Sequence, residues 1–245
     1  MVLNELIERS PIRVLMNSIH GGLKSGKLGL IASPRGIGKT SVLVQIALDK
    51  LLQGKKVIHI SFTRHTDYVL TWYENIFDEF IQKKNLENKQ DVKDEIVKNR
   101  VLMKFNQEGT TASQILQSLS ALIRDGGFNA NSVIIDGLDF DTTGEAQIAA
   151  YKKFAGEMDL SVWFSCNAGV KKPFYDERGI PLAVKGYPDL FEVIILLDQK
   201  PEPAPGYIAL SISRDKLPAG DSGGTETGTR LALKLDPKTL LILEQ

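Results

Sequence analysis

Short runs of apolar residues alternate along this chain with longer stretches in which apolar residues recur every three or four positions. Continuous apolar runs are typical of strands covered on both faces, and the longer periodicity is typical of helices with one buried face. The alternation therefore predicts an α/β fold with a mostly parallel, twisted sheet flanked by helices. The predicted strands span residues 28–32, 57–62, 101–105, 132–136, 162–165, 193–197 and 207–212.

The predicted helices span residues 40–52, 67–81, 113–124 and 145–158. The second is the most strongly patterned, because its large apolar residues form one wide stripe at helical spacing. That stripe predicts packing against the sheet, and an aromatic box for a cofactor or a partner is the alternative. Its members are Val69, Trp72, Tyr73, Ile76, Phe77, Phe80 and Ile81.

The remaining segments suggest where the domain begins and where its loops lie. Residues 83–100 are highly charged and are predicted to form a solvated helix or loop. Residues 219–229 are rich in Gly, Thr and Asp and are predicted to form a mobile loop before a final hairpin. Near the start of the chain, four apolar residues between positions 2 and 7 recur at helical spacing. We therefore predict an N-terminal arm over residues 1–12 and a single α/β domain over residues 13–245.

Composition excludes several classes of protein. The 245 residues suit one large domain, and 42% hydrophobic with 24% charged residues is ordinary for a soluble globular protein. Thirty Lys and Arg balance thirty Asp and Glu, so the net charge neither favours nor excludes a nucleic-acid partner. The single cysteine, Cys166, excludes an internal disulfide and fits a reducing compartment. No apolar run is long enough to span a membrane and the N-terminus is not that of a signal peptide, so no membrane partner and a cytoplasmic location are expected.

The clearest chemical signal is a Gly-rich turn between the strand 28–32 and the helix that follows it. Glycines let successive backbone N–H groups converge on phosphate oxygens, and the helix start adds the positive end of its dipole. A lysine there can bridge the β- and γ-phosphates, and the next hydroxyl can ligate Mg²⁺. The turn therefore predicts a phosphate-binding P-loop for ATP with Mg²⁺, against the alternative of a chance Gly-rich turn. Its residues are Ser33, Pro34, Arg35, Gly36, Ile37, Gly38, Lys39, Thr40 and Ser41, with Ser33 where Gly or Ala is usual.

A second element supports the first. Residues 132–136 form an apolar strand of the buried type that ends in the carboxylate of Asp136. In P-loop folds such an Asp stands beside the P-loop and holds Mg²⁺, often through water. Thr40 and Asp136 are therefore the predicted metal-site residues.

Several segments resemble the KaiC and DnaB branches of the RecA-like ATPases. Residues 21–31, which lead into the P-loop, and residues 53–62 are similar to both branches. The sequence Ser213-Arg214-Asp215-Lys216, with residues 227–231 and 235–239, is similar to the closing strand and hairpin of the DnaB replicative-helicase motor. The resemblance covers residues 12–243 and implies a RecA-like P-loop core with a C-terminal β-hairpin. It also implies self-association in a ring or filament, with the nucleotide at the subunit interface.

The resemblance implies roles for three further residues. Arg214 and Lys216 match a basic pair that reaches the γ-phosphate in a neighbouring subunit, with Lys and Arg exchanged in order. Asn167, after a predicted strand, matches a polar γ-phosphate sensor. The alternatives are two surface cations and a turn residue.

One departure from these families concerns catalysis. The families carry a catalytic glutamate just after the second strand, whereas here Ser61-Phe62 is followed by Thr63 and then an arginine. Neither side chain can act as a carboxylate base. Asp67, Glu108 and Asp139 are weak candidates for that role, and each is equally explained as a solvated loop acid. ATP binding is therefore a firmer prediction than ATP hydrolysis.

Two loops bear on a nucleic-acid partner. Residues 137–142 are acidic and would repel phosphate, whereas residues 170–178 combine cations with two aromatics that could follow single-stranded DNA. A solvated surface loop is the alternative for the second. Three functions stay open: an oligomeric ATP-binding protein with weak or absent hydrolysis, a DnaB-like motor on single-stranded DNA, and a KaiC-like nucleotide-dependent signalling or assembly module.

Overall fold

The computed structural model describes residues 11–62, 66–84, 89–169, 172–200, 207–215, 233–236 and 241–242. Within these residues, eight strands form one sheet. The strands are β1 (Leu28–Ser33), β2 (Val57–Ser61), β3 (Arg100–Lys104), β4 (Ser132–Asp136), β5 (Ser161–Asn167), β6 (Phe191–Lys200), β7 (Tyr207–Asp215) and β8 (Leu233–Leu235). Their order is β3-β2-β4-β5-β1-β6-β7-β8. The first six strands in this order, from β3 to β6, each pair in parallel with their neighbours. The pairs β6–β7 and β7–β8 are antiparallel.

Helices cover both faces of this sheet. They are α1 (Pro11–Ser18), α2 (Lys39–Leu52), α3 (Thr66–Lys84), α4 (Lys89–Lys98), α5 (Ala112–Ser120) and α6 (Glu145–Glu157), and α5 continues into a π-helical turn over Ala121–Asp125. The predicted α/β fold, with its mostly parallel sheet, flanking helices and C-terminal antiparallel hairpin, is confirmed. The architecture is compatible with a RecA-like core. In the part of the chain that is described, no helix combines the length and the apolar character needed to cross a bilayer.

Two apolar cores lie on opposite faces of the sheet. Helices α1 to α4 pack on one face, where the stripe predicted on α3 is buried except for Trp72, which is partly buried. Helices α5 and α6 pack on the other face, around Phe164 and Phe191. The stripe therefore serves core packing, as the sequence predicted.

The start of the described chain belongs to the first of these cores. Ile12 on α1 is 1% exposed, and Arg13 Nε lies 2.7 Å from Asp49 Oδ1 on α2, which links the two helices. Residues 1–10 of the predicted arm and the predicted loop 219–229 lie outside the described residues. The division of the chain at residue 12 stays a prediction.

The sheet requires glycine at one position of β1. Gly29 on β1 pairs with Trp163 on β5, and a Cβ added to Gly29 would lie 2.4 Å from Trp163 Cε3. That separation is far shorter than a van der Waals contact, and Trp163 is fully buried. The indole therefore packs flat over the glycine, in the space that any side chain would need.

We expect Gly29→Ala to lower the melting temperature by roughly 2–12 °C, because overpacking a buried site costs about 1–3 kcal/mol and a domain of this size loses about 2–4 °C per kcal/mol. Thermal unfolding followed by circular dichroism measures this. Gly186→Ala is the control, since its added Cβ would meet nothing within 4 Å. Equal melting temperatures for the two variants would contradict the packing described here.

Candidate nucleotide-binding site

The parallel strands end at one edge of the sheet, and the predicted site residues meet there. In the register of the sheet Ser33 at the end of β1 pairs with Asn167 on β5, and Ser61 at the end of β2 pairs with Asp136 on β4. Phe62 N donates a hydrogen bond of 3.0 Å to Asp136 O, which holds the exit of β2 beside β4. Ligands of open α/β sheets bind at this carboxyl edge.

The turn between β1 and α2 has the backbone of an anion-binding loop. Gly36 and Gly38 have φ angles of 79° and 99°, in the left-handed region that glycine occupies without strain. Gly38 stands at the start of α2, and no side chain of the described residues caps it. The N–H groups of the first helical turn are therefore available to an anion, and the helix dipole favours negative charge there.

Lys39 folds over this loop. Its Nζ donates to Ser33 O at 2.8 Å, to Pro34 O at 2.8 Å and to Ser33 Oγ at 3.2 Å. Burial lowers the pKa of Lys39 to about 8, although Cys166 and Asp136 act in the opposite direction. The ammonium group stays largely protonated at neutral pH. The loop thus holds a half-buried cation beside its backbone N–H groups.

Ser33, the unusual residue at the first position of the motif, is fully buried. Its Oγ donates to Pro34 O at 2.9 Å and accepts from Lys39 Nζ. The backbone of Ser33 also accepts a hydrogen bond of 3.0 Å from Ala168 N beyond β5. The hydroxyl is therefore accommodated inside the turn and adds an oxygen to the environment of Lys39.

Thr40 and Asp136 lie in direct contact although 96 residues separate them in the sequence. Thr40 Oγ1 donates to Asp136 Oδ2 at 2.8 Å. On the other side of the carboxylate, Ser165 Oγ donates to Asp136 Oδ1 at 2.6 Å. Ser165 Oγ also accepts from Gly137 N at 2.8 Å. Both carboxylate oxygens are therefore held by hydroxyl groups.

The oxygen atoms of Thr40 and Asp136 fit a hard cation such as Mg²⁺, which prefers oxygen ligands. Among the residues that the structure describes, no group of three or more His, Cys, Asp or Glu side chains is arranged to hold a metal ion. A magnesium ion here would need further oxygens from phosphate and water, which is how Mg²⁺ usually binds beside nucleotides. The donor set fits the predicted cofactor.

Asn167 lies at the end of β5 and is half-buried. Its Oδ1 is buried and has no hydrogen-bond partner within the described chain. An unpaired amide oxygen at the strand end beside the P-loop agrees with a sensor, and this role stays a proposal.

The three weak candidates for a general base have ordinary surroundings. Asp67 is exposed in the first turn of α3, and Glu108 is exposed in the turn after β3. Asp139 Oδ1 accepts a hydrogen bond of 3.0 Å from Asp141 N, so this carboxylate stabilises its own turn. Thr63 lies outside the described residues.

The cations predicted to act between subunits or on DNA are only partly described. Arg214 lies on β7, just after a bulge opposite Ile194 and Ile195, whereas Lys216 and Lys171 lie outside the described residues. Arg178 donates from Nε and Nη2 to Asp176 Oδ2 at 3.1 and 2.9 Å. Arg178 therefore forms an exposed ion pair within its own loop.

A groove of about 750 Å³ lies between α5 and α6. Residues such as Gln117 and Ala121 line one side of it, and Ala150 and Lys153 line the other. It contains none of the predicted nucleotide or metal residues. The candidate site is therefore the open P-loop edge of the sheet rather than the groove.

Ser165 is the residue that the sequence analysis missed. It stands within an apolar run, and only the adjacency of β4 and β5 brings its hydroxyl to Asp136. A polar residue interrupting a buried strand was the available signal, since buried hydroxyls need hydrogen-bond partners.

Comparison with known proteins gives a partial similarity. The chain matches no protein-family model. It is similar to DNA repair protein RadA from Aquifex aeolicus (strain VF5), with 43% identity over 54 residues. That match covers 22% of this chain and only 12% of the length of RadA. The similarity and the mostly parallel sheet agree with the RecA-like resemblance, and the KaiC and DnaB branches stay predictions.

We expect Asp136→Asn to weaken ATP binding in the presence of Mg²⁺ by about 10-fold or more, since contacts to a charged group are worth about 1.5–3 kcal/mol. Without Mg²⁺ the affinity should change little, because the carboxylate acts through the metal. Titration with a fluorescent ATP analogue, in Mg²⁺ and in EDTA, measures both. Asp139→Asn removes a nearby charge and serves as the control. An equal loss in EDTA would make Asp136 a purely structural residue.

Proposed function

We propose that this chain is a RecA-like P-loop protein that binds ATP with Mg²⁺ in the loop between β1 and α2. The observation that carries the proposal is the 2.8 Å contact between Thr40 Oγ1 and Asp136 Oδ2. It joins the hydroxyl that follows the P-loop lysine to the carboxylate at the end of the buried strand β4. Two oxygen donors for a hard cation thus stand beside a glycine-rich loop at a helix N-terminus.

Each group of residues at the loop binds a different part of Mg-ATP. The N–H groups of the first turn of α2 bind phosphate oxygens, and Lys39 exchanges the carbonyls of Ser33 and Pro34 for the β- and γ-phosphates. Thr40 and Asp136 hold Mg²⁺, which neutralises charge on those phosphates when it is bound. Asn167 contacts the γ-phosphate from the end of β5.

The experiment that tests this proposal is thermal unfolding with and without Mg-ATP. A ligand at 100 times its Kd stabilises the folded state by about 2.7 kcal/mol, which is about 5–11 °C for a domain of this size. We expect a shift of that order with Mg-ATP and a smaller one with ATP in EDTA. No shift at millimolar Mg-ATP would contradict the proposal.

Slow hydrolysis forms part of the proposal. The resemblance calls for a glutamate directly after Ser61-Phe62, and Thr63 stands at that position. A threonine hydroxyl is not a carboxylate base and does not take the proton of an attacking water efficiently. The bound state therefore persists, which suits a protein whose nucleotide controls assembly, as in the KaiC-like reading.

We propose further that the nucleotide lies between subunits of a ring or filament, where Arg214 and Lys216 approach the γ-phosphate of the next subunit. Head-to-tail contacts generate such assemblies, and a shared ligand strengthens the interface by linkage. The amphipathic segment over residues 1–7 adds a second contact between neighbours.

We expect Mg-ATP to shift the protein towards a larger species and Arg214→Ala with Lys216→Ala to abolish the shift. Sedimentation velocity with a non-hydrolysable ATP analogue measures the assembly. Lys234→Ala, which removes a cation from the neighbouring strand β8, is the control. A chain that stays monomeric at tens of micromolar with saturating nucleotide would leave Arg214 and Lys216 as ordinary surface cations.

A role on single-stranded DNA is the second candidate, and one observation favours it: the similar protein RadA is named a DNA repair protein. Against it, the loop after β4 carries Asp139 and Asp141, and Arg178 is paired with Asp176. Phosphate binding by Lys and Arg is strongly salt-dependent. Fluorescence anisotropy of a labelled single strand at several salt concentrations, together with phosphate release with and without that strand, separates a motor from an assembly module.

A further inference from the structure

The carboxylate of Asp136 is held by a short relay of hydrogen bonds that starts on the main chain. Gly137 N donates to Ser165 Oγ at 2.8 Å, and Ser165 Oγ donates to Asp136 Oδ1 at 2.6 Å. Ser165 is 2% exposed and Asp136 is 3% exposed, so bulk water does not compete for these contacts.

The direction of each hydrogen bond in this relay is fixed by chemistry. A backbone N–H can only donate, so the hydroxyl oxygen of Ser165 must accept from Gly137. A serine hydroxyl has a single hydrogen, and a carboxylate can only accept, so that hydrogen is directed to Asp136 Oδ1. The relay therefore occupies one carboxylate oxygen and sets the plane of the group.

The other oxygen is left on the side of the P-loop. Asp136 Oδ2 accepts from Thr40 Oγ1 at 2.8 Å, so it is the oxygen that lies next to the second predicted metal-site residue. Rotation of the carboxylate about its terminal bond would break the contact with Ser165. The hydroxyl of Ser165 thus resists the movement that would take Oδ2 away from Thr40.

We infer that Ser165 is a positioning residue for the Mg²⁺ site, which holds the Asp136 carboxylate with Oδ2 towards Thr40; this inference rests on the proposed function. Ser165 touches neither metal nor nucleotide in this role, and it acts through Asp136. Hydrogen-bond partners of metal-ligating carboxylates are generally important, and their loss costs about 10–100-fold in metal affinity.

The same two strands provide a matched control. Ser161 is also a buried serine of β5, and its Oγ donates to Ser132 Oγ on β4 at 3.0 Å. This pair lies at the amino ends of the strands, at the opposite edge of the sheet from Asp136. Ser161→Ala therefore removes a buried interstrand hydroxyl without touching the metal site.

The test compares the Mg²⁺ concentration that half-saturates tight ATP binding in wild type, Ser165→Ala and Ser161→Ala, measured with a fluorescent ATP analogue. We expect Ser165→Ala to raise the requirement by about 10–100-fold and to leave the affinity in EDTA unchanged. Ser161→Ala should leave both unchanged. Ser165→Thr retains a hydroxyl and should restore most of the wild-type requirement.

Coupling to Asp136 supplies a second readout. In an Asp136→Asn background, Ser165→Ala should have no further effect on the Mg²⁺ requirement, because the group that it positions has lost its charge. If Ser165→Ala fails to fold, Ser165→Cys keeps a similar volume with a much weaker donor and should give an increase of the same sign.

Three results would overturn the inference. Ser165→Ala could match Ser161→Ala in its Mg²⁺ requirement, it could lose as much affinity in EDTA as in Mg²⁺, or its effect could persist in full in the Asp136→Asn background. The failure of the proposed function is distinguishable, since the wild-type chain itself would then show no Mg²⁺-dependent ATP binding.

Discussion

Lys39→Ala is expected to weaken ATP binding by about 10- to 150-fold, because charge-assisted hydrogen bonds are worth about 1.5–3 kcal/mol. In the structure the ammonium group contacts the carbonyls of Ser33 and Pro34 and the hydroxyl of Ser33. Bound phosphates would offer it charged oxygens instead of neutral ones. Alanine has no ammonium group to contact the phosphate oxygens. The loss of affinity should therefore appear with both ATP and ADP, whose phosphates reach the lysine.

Titration with a fluorescent ATP analogue measures the loss, and Lys50→Ala is the control. Lys50 is another partly buried lysine of the same helix, in its last turn rather than its first. Its removal tests for a general effect of charge on α2. Equal affinities for wild type and Lys39→Ala would rule out the β1–α2 loop as the phosphate site.

Turnover is the second large expected effect. Wild type should release phosphate more slowly than about 1 per second, the lower end of the usual range for enzymes. The reason is Thr63, since a correctly positioned general base contributes about 10²–10⁴-fold. Thr63→Glu should therefore increase the rate, measured as steady-state phosphate release at saturating Mg-ATP.

Arg64→Glu adds an acid at the neighbouring position and is the control for Thr63→Glu. An increase confined to Thr63→Glu would assign the missing base to that position. Rapid release by the wild-type chain would instead mean that another group is the base. Asp67, Glu108 and Asp139 would then be the positions to replace first.

The strands could be predicted closely where burial alone decides them. The prediction for β4, residues 132–136, agrees with the observed strand Ser132–Asp136. A strand that is buried on both faces is a continuous apolar run, so the ends of the run mark the ends of the strand. The β6 strand was predicted as residues 193–197, but it continues to Lys200. The hydrogen-bond ladder with β7 extends through Asp198 and Gln199, and a polar pattern does not reveal such pairing.

The predicted helix 113–124 divides into α5 and a π-helical turn over Ala121–Asp125. The start of α5 can be predicted from the sequence, because Thr111 and Gln114 form a capping box. The change in hydrogen-bond register near Ala121 has no comparable signal, since the apolar spacing continues across it.

The candidate site separates in the same way into local and non-local parts. Lys39 and Thr40 belong to a contiguous motif, and their position follows from the strand-to-helix turn alone. The contact between Thr40 and Asp136 was predictable because the strand 132–136 ends in the expected carboxylate. Ser165 contacts Asp136 only because β4 and β5 are neighbours in the sheet, and strand order cannot be read from a local pattern.

The most direct test of a P-loop nucleotide site is competition by nucleotides with different numbers of phosphates. A fluorescent ATP analogue bound to the wild-type chain in Mg²⁺ is displaced in turn by ATP, ADP and AMP. Because the loop N–H groups and Lys39 bind the β- and γ-phosphates, ATP and ADP should displace the analogue, whereas AMP should not. Displacement by AMP as effective as that by ATP, or the absence of saturable binding, would contradict the account.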